Sequence, residues 1–511
     1  MFNSFNDYYP PKNWNEQKLN SEKFFLYDDL LNNYSDNDLV ATLIKKNGSF
    51  VQINKLRLDL LVKSLVSEIK IALENKINNQ LKLFSVLGAS EESLVFMMAS
   101  AYLGAHHSIC FEELSIEAIK SRIEIFKPDI IFSRINNKSK TDDALADANL
   151  ENVKSFVLDI ENLKILDKED LQKYQKSNPY YEDSPLFTLY TSGSTGLPKA
   201  IIHTAKKYLE YAKFTSEYFF NLSKGLKIFT ATDAGWINGH TYSVYGPLAC
   251  SAQTIIAEDL NYISDPFIIK KIISQLNLNC IYMSVTLLRI IRSKSYIFKD
   301  FATDHNYLER IGSCGEPLAD EVGKWAIKFF KPKRKTIVNT YFQTETGGIL
   351  VAPRDEDGVP LNYSSVGKPR QELGLFIAKD KLSNAQISSE SLDPDEILIS
   401  NNWSGIFMKV KSDREVKYFT KDGYFRLNDV GYFDDKGFLY IGGRSDDVIN
   451  TAGHRISSSE IENICLDLKE IKEACVVAGY DEFLGAKPVL FISLNNTKNN
   501  SVLSIKDKLY K

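Results

Sequence analysis

Apolar residues recur at helical spacing from Leu56 to Asn75, which predicts an amphipathic helix. The run Lys82 to Leu87 predicts a strand, and Glu91 to Leu103 a helix built largely from small residues. Ser115 to Phe126 is helical again, followed by a strand at Ile130-Ile131-Phe132. The same rhythm returns in helix Lys206–Phe219, strands Lys227–Thr230 and Thr254–Ile256, helix Ile268–Gln275 and strand Cys280–Met283. Strands and helices alternating at this pace predict parallel sheets layered with helices. Residues 1 to about 35 read as an irregular lead-in, and the charged stretch Lys138 to Asp147 as a loop at a subdomain seam.

From about Val416 the texture changes. Short strands at Tyr424-Phe425, Tyr432-Phe433 and Phe438 to Ile441 alternate with turns, among them Asp435-Lys436-Gly437. A helix at Ser459–Leu468 and a strand at Ala474–Ala478 follow. The expected fold class is α/β: a large N-terminal domain of layered sheets with flanking helices (1–445), then a small C-terminal α+β domain (446–511). The boundary is placed near Ser445-Asp446.

Composition narrows the function without naming it. The 511 residues are enough for more than one domain with sizeable cores. A net charge of −4 gives no general reason to expect nucleic acid or a membrane surface as partner. Six scattered cysteines without a CxxC pair argue against zinc and against a disulfide framework, and favour a reducing cytoplasm. Met1 to Trp14 lacks the apolar core of a signal peptide, and no stretch is long and apolar enough to span a bilayer.

One run carries chemistry on its face: Tyr190-Thr191-Ser192-Gly193-Ser194-Thr195-Gly196-Leu197-Pro198-Lys199. Gly193 and Gly196 let backbone N–H groups approach an anion, Thr191, Ser192, Ser194 and Thr195 add hydroxyl donors, and Lys199 adds charge. The flanking apolar runs read as strands, which disfavours a flexible Ser/Gly linker. A Walker A loop is excluded, because Lys199 comes three residues after the last glycine and a strand rather than a helix follows.

Four further constellations lie downstream. Thr232 to His240 places Trp236 and Asn238 between two glycines; alone, it is an ordinary loop with a buried tryptophan. Gly312 to Pro317 is a strand end and tight turn able to lie along a flat ring, or a plain strand-to-helix connection. Tyr341 to Gly348 sets aromatics before a carboxylate and hydroxyls. Asp429, Arg444, Asp446 and Asp447 and Gly453-His454-Arg455 are charged residues of a kind usually found on a solvated surface.

Taken in order, these motifs resemble the adenylate-forming, acyl-activating superfamily, and most of all its acetyl-CoA synthetase branch. Gly235-Trp236-Ile237-Asn238-Gly239-His240-Thr241-Tyr242, the later Tyr245-Gly246-Pro247-Leu248-Ala249, and Gln343-Thr344-Glu345-Thr346-Gly347-Gly348 carry the likeness, over roughly residues 50 to 495. The resemblance implies two steps: a short carboxylic acid attacks the α-phosphate of ATP to give acyl-AMP and pyrophosphate, and CoA then displaces AMP. It implies ATP, Mg²⁺ and CoA as reactants or cofactors.

By the same matching, Thr191 to Lys199 would hold phosphates. Gly315, Glu316 and Pro317 would line the adenine, with Tyr341 stacking on it and Asn339, Thr340, Phe342 and Gln343 beside the nucleotide. Lys199, Thr344 and Glu345 would be catalytic, Thr344 at the α-phosphate and Glu345 on Mg²⁺. Asp429 would take the ribose hydroxyls, and Arg444 and Arg455 ribose or phosphate. Trp236, Ile237, Asn238, Cys314 and Phe342 would surround the acyl chain, and Asn238, Ala452 and Gly453 would border CoA. Asp446 matches the hinge of the small domain. Phe342 replaces the branch's usual tryptophan, so acetate and propionate are both expected substrates.

Three departures accompany the likeness. Asn428 stands for the glycine before the ribose aspartate, and no arginines match those that grip the CoA nucleotide. The family's C-terminal catalytic lysine also has no counterpart: Ser501–Tyr510 reads as the helix before it, and Lys498, Lys506, Lys508 and Lys511 lie outside the motif. The small domain is therefore expected to be partial. The alternatives to a CoA ligase are acyl transfer to a carrier-protein thiol and a nucleotide-binding homologue with little ligase activity.

Overall fold

The structure, a computed structural model, describes residues 6–11, 23–74, 81–148, 150, 152–191, 197–295, 307–358, 360–379, 395–413, 417–445, 448–451, 454–466, 468, 470–481 and 485–494. Contacts divide the chain into two compact units. The first is Met1–Tyr262 with Phe342–Ile349 and Trp403–Val416; the second is Ile263–Tyr341 with Leu350–Asn402 and Lys417–Lys511.

The first unit holds an eight-stranded sheet. Its parallel part runs through Pro185–Thr191, His106–Cys110, Lys82–Val86, Ile130–Ser133 and Lys154–Val157. Lys199–Thr204, Lys409–Ser412 and Asn6–Tyr8 extend it by antiparallel pairing. In the same unit Lys227–Ala231, Gln253–Ala257 and Leu39–Ile44 pair in parallel, and Phe50–Asn54 closes antiparallel on Leu39–Ile44. The helix Glu91–Leu103 is buried nearly all round, as apolar residues on every face (Leu94, Phe96, Met97, Met98) require. Ser90 and Ser93 cap its start reciprocally, at 3.2 and 3.0 Å.

The second unit carries the parallel strands Cys280–Ser284, Arg310–Cys314 and Ile337–Asn339. It also has two antiparallel four-stranded sheets. One comprises Leu375–Ile377, Glu396–Ile399, Phe425–Phe433 and Leu439–Arg444; the other Val448–Thr451, His454–Ser457, Ile471–Asp481 and Gly485–Leu494. The helix Ser458–Leu466 packs on the latter through Cys465 and Leu466.

Three sequence expectations change. Lys138–Asp147 is a helix, not a loop. Its charges sit at i,i+4 spacing on the solvated side (Lys138 pairs with Asp142), while small Thr141 and Ala144 are buried. The lead-in is not irregular throughout: Asn6–Tyr8 is a strand, made so by a partner about 400 residues away, and Leu26–Leu31 is a short helix with Leu26, Tyr27, Leu30 and Leu31 buried. Tyr432-Phe433 belongs to one long strand, Phe425–Phe433, rather than to a separate short one.

Candidate active site

In the first unit, the strands on either side of the glycine-rich loop form an antiparallel ladder whose last pair sets Thr191 opposite Lys199. Ser192, Gly193, Ser194, Thr195 and Gly196 lie outside the described residues. Lys199 Nζ stands 3.8 Å from Glu345 Oε1, with the Glu345 side chain only 9% exposed. That separation is ion-pair range but longer than a direct hydrogen bond.

The backbone around Glu345 is pinned on several sides. Thr344–Thr346 is a single 3₁₀ turn, its Thr346 hydroxyl bonded to both the N–H and the carbonyl of Gln343. The Thr344 carbonyl accepts from His203 Nε2 at 2.8 Å, and the Thr346 carbonyl from the Trp403 indole at 3.0 Å. Phe407 N–H donates to the Glu345 carbonyl at 3.0 Å. Gly347 ends the turn at φ +71°, and a Cβ there would lie 2.3 Å from the Gly405 carbonyl oxygen, so glycine is required twice over. Burial holds His203 neutral, its pKa pushed down to about 4. A carbonyl only accepts, so Nε2 carries the proton.

The tryptophan loop belongs to the same unit. Trp236 is not buried, as an ordinary loop reading would have it, but 54% exposed; its ring leans on Phe111 at 4.9 Å between centroids. Ile237, Asn238 and His240 are buried in the turn Ile237–His240. The His240 ring stacks on His107 at 5.4 Å, and its pKa is pushed down to about 4 by burial. Burial pushes the Asp233 carboxyl up to about 6, although it accepts the Gly235 N–H at 2.8 Å. Phe342 meets the edge of Tyr242 at 6.1 Å.

The second unit holds the other predicted residues. The Tyr341 hydroxyl donates to Asp429 Oδ2 at 2.7 Å, and Arg444 reaches Asp429 Oδ1 at 3.3 Å. Tyr341 is thus buried and engaged through its phenol, a role beyond the expected ring stacking. A carboxylate oxygen can accept from more than one donor. Asn428 adopts φ +54°, a left-handed conformation that asparagine tolerates, so it can occupy the place where the resemblance puts glycine. Its carbonyl accepts from the Ser445 N–H at 3.0 Å.

Asn339 accepts from the Ser313 hydroxyl at 3.0 Å, and its amide faces the Ser365 carbonyl at 3.1 Å. Thr340 donates to the Ser313 carbonyl at 2.8 Å. Glu316 is bonded to Thr286 and Arg289, next to Gly315 and Pro317 at the end of the strand Arg310–Cys314. Cys314 is buried in this unit. The strand His454–Ser457 sets the Arg455 backbone opposite Asn450. The Arg455 side chain, Asp446, Ala452, Gly453 and the Ser501–Tyr510 segment lie outside the described residues.

The family profile described as AMP-binding enzyme matches residues 76–387. The chain belongs to the AMP-binding enzyme family. The acetyl-coenzyme A synthetase of Salmonella typhi is 31% identical over 437 residues, covering 80% of this chain and 66% of that protein. That of Escherichia coli (strain K12) is 31% identical over 438 residues with the same shares. The chain therefore spans just under two thirds of the length of these curated relatives. The crystal structure of the anthranilate CoA ligase AuaEII in complex with anthranoyl-AMP shares the fold, with a TM-score of 0.79 at 15% identity over 97% of this chain and 90% of that one. The α/β class read from the alternation is borne out.

Two supports of this AMP-binding enzyme escaped sequence reasoning. His203 follows Lys199 on the same strand face at period two, so alternation could have flagged it. Trp403 has no local signal, because it acts on a carbonyl 57 residues away. For Mg²⁺ the described residues offer the Glu345 carboxylate and no cluster of three or more His, Cys, Asp or Glu. One carboxylate suits Mg²⁺, which is commonly held together with substrate phosphates and water.

Proposed function

We propose that this chain activates a short carboxylic acid, acetate or propionate, with ATP and transfers the acyl group to CoA in the cytoplasm. The observation that carries the reading is the close approach of Lys199 to the buried Glu345 at the end of the glycine-rich hairpin. A cation and a carboxylate held 3.8 Å apart can be parted by a phosphate group, with Lys199 meeting its oxygens. Mg²⁺ on Glu345 would supply further charge neutralisation. Phosphoryl transfer depends on positioning and charge more than on covalent help.

In the first step a carboxylate oxygen bonds to the α-phosphorus and the bond to pyrophosphate breaks. Lys199 holds the departing phosphates, and Thr344, fixed through its carbonyl by His203, meets the α-phosphate. Asp429, oriented by Tyr341 and Arg444, takes the ribose hydroxyls. In the second step the CoA sulfur bonds to the acyl carbon and AMP leaves. The resemblance assigns the acyl chain to Trp236, Ile237, Asn238 and Phe342 of the first unit and to Cys314 of the second, and to residues 446–511 the part of a small domain hinged at Asp446.

Acid-dependent exchange of labelled pyrophosphate into ATP tests this reading. Acetate or propionate should drive exchange, and larger acids such as anthranilate should not. Exchange driven by anthranilate alone would overturn the choice of acid. Nucleotide binding without exchange for any acid would overturn ligation in favour of a nucleotide-binding role.

A further inference from the structure

A second concavity lies on the eight-stranded sheet of the first unit. The strand Lys409–Ser412 sets Lys409 opposite Ile202 and Lys411 opposite Ala200. Ile202 in turn faces Thr188, and further along the sheet Lys82 faces His106. Lys409 and Lys411, two residues apart on one strand, project to the same side. Together Lys82, His106, Thr188, Ile202, Lys409 and Lys411 line a cavity of about 250 Å³, with Asp183 also contributing to its wall.

The charges around this cavity are incompletely matched. Lys409 pairs with Asp7 at 2.9 Å. The Lys82 ammonium donates to the Phe126 carbonyl at 3.2 Å and lies over the Phe126 ring. Among the described residues, no carboxylate stands at ion-pair distance from Lys411. Asp129 faces Lys82 and Asp7 faces Lys411 electrostatically, while Lys127 adds a further positive charge toward both lysines. Burial first, and the neighbouring lysines with it, hold Lys82 and Lys411 below the usual lysine range. The floor is polar but uncharged: His106, its pKa pushed down to about 3 by burial, shares a 2.7 Å hydrogen bond with the Thr188 hydroxyl.

We propose that this cavity is a binding site for a phosphate-class oxyanion, with Lys82 and Lys411 as its principal charge partners and Lys409 shared with Asp7. An anion there replaces lysine–lysine repulsion with charge-assisted hydrogen bonds. The competing explanation is that the lysine stems merely cover apolar sheet surface while their heads stay in water. That explanation predicts no saturable ligand.

The test uses the full chain. Inorganic phosphate, and separately glycerol phosphate, are titrated at constant ionic strength into the wild type, K411Q, K82Q/K411Q and K199Q. Binding is read by calorimetry and by the rise in Tm that a ligand of the native state produces. Saturable binding should weaken about tenfold or more for each lysine removed. It should survive in K199Q, which separates this cavity from the glycine-rich loop. A preference for glycerol phosphate would identify an ester as the ligand, and a preference for inorganic phosphate the free ion. Removing a lysine relieves repulsion, so the variants should melt in chloride no lower than the wild type. Should the double variant unfold early, K411Q alone decides by the same criterion. No saturable binding in the wild type, or equal binding in the wild type and the lysine-to-glutamine variants, overturns the proposal.

Discussion

The two groups of predicted nucleotide residues are built on opposite principles. In the first unit, Lys199 and Glu345 face each other across 3.8 Å without a direct hydrogen bond, and the order comes from the backbone: His203, Trp403 and Phe407 grip the three carbonyl-bearing residues of one short turn. In the second unit, the side chain proposed to meet the ribose is itself gripped, Asp429 by Tyr341 at 2.7 Å and by Arg444 at 3.3 Å. Phosphates change charge and geometry during the proposed reaction, while a ribose does not. A loosely joined pair on a rigid turn suits the former, and a carboxylate oriented in advance suits the latter.

Substitutions should separate the two designs. The largest effect is expected for Lys199→Ala. Loss of the charge proposed to meet the reacting phosphates should lower acid-dependent pyrophosphate exchange by about 10²–10³-fold, with less effect on the KM for ATP. Asp429→Asn keeps the shape but removes the charge proposed to receive the ribose hydroxyls. It should raise the KM for ATP by about 10–100-fold, as expected for hydrogen bonds to a charged group. Equal kinetic signatures for these two variants would erase the contrast drawn here.

The next effect concerns stability. His106, His203 and His240 are buried with pKa values pushed down to about 3, 4 and 4, and burial also holds His107 well below the usual histidine range, all within the first unit. The unfolded chain binds protons near pH 6.5 while the folded chain does not, so stability should fall as pH drops from about 6.5 toward 4. Each histidine contributes up to about 1.4 kcal/mol per pH unit in that window. Asp233 works in the opposite sense. Its carboxyl, raised to about 6, is protonated in the fold before it is in the unfolded chain, so its penalty is relieved as pH falls from about 6 to 3.8. Urea unfolding at pH 7 and pH 5 should show the net loss, and His203→Gln should make the slope shallower. A flat profile would mean that the histidines carry protons inside the fold. The smallest effect is expected for Phe342→Trp, which should shift preference from propionate toward acetate by about tenfold, read as a ratio of kcat/KM.

Much of this was legible in the sequence, and the exceptions share a cause. The parallel strands and the strands bounding the glycine-rich loop announced themselves as apolar runs, because their neighbours bury them. Asn6–Tyr8 did not, since its strand character comes from a partner about 400 residues away. Lys138–Asp147 hid its helix behind charge, having only small residues to bury. Asp429 lies in a motif that drew attention to it, but the Tyr341 hydroxyl that orients it joins residues 88 apart. The Asn428 departure became intelligible only through its φ angle, which shows a backbone demand that a residue name alone conceals.

The proposed division of labour, phosphates to Lys199 and ribose to Asp429, is tested most directly by calorimetric titration of AMP and ATP into the wild type, K199A and D429N. Asp429→Asn should weaken AMP and ATP alike, because both carry the ribose. Lys199→Ala should weaken ATP while leaving AMP nearly unchanged, because only ATP carries the outer phosphates. Unaltered affinity for both nucleotides in both variants would contradict the account.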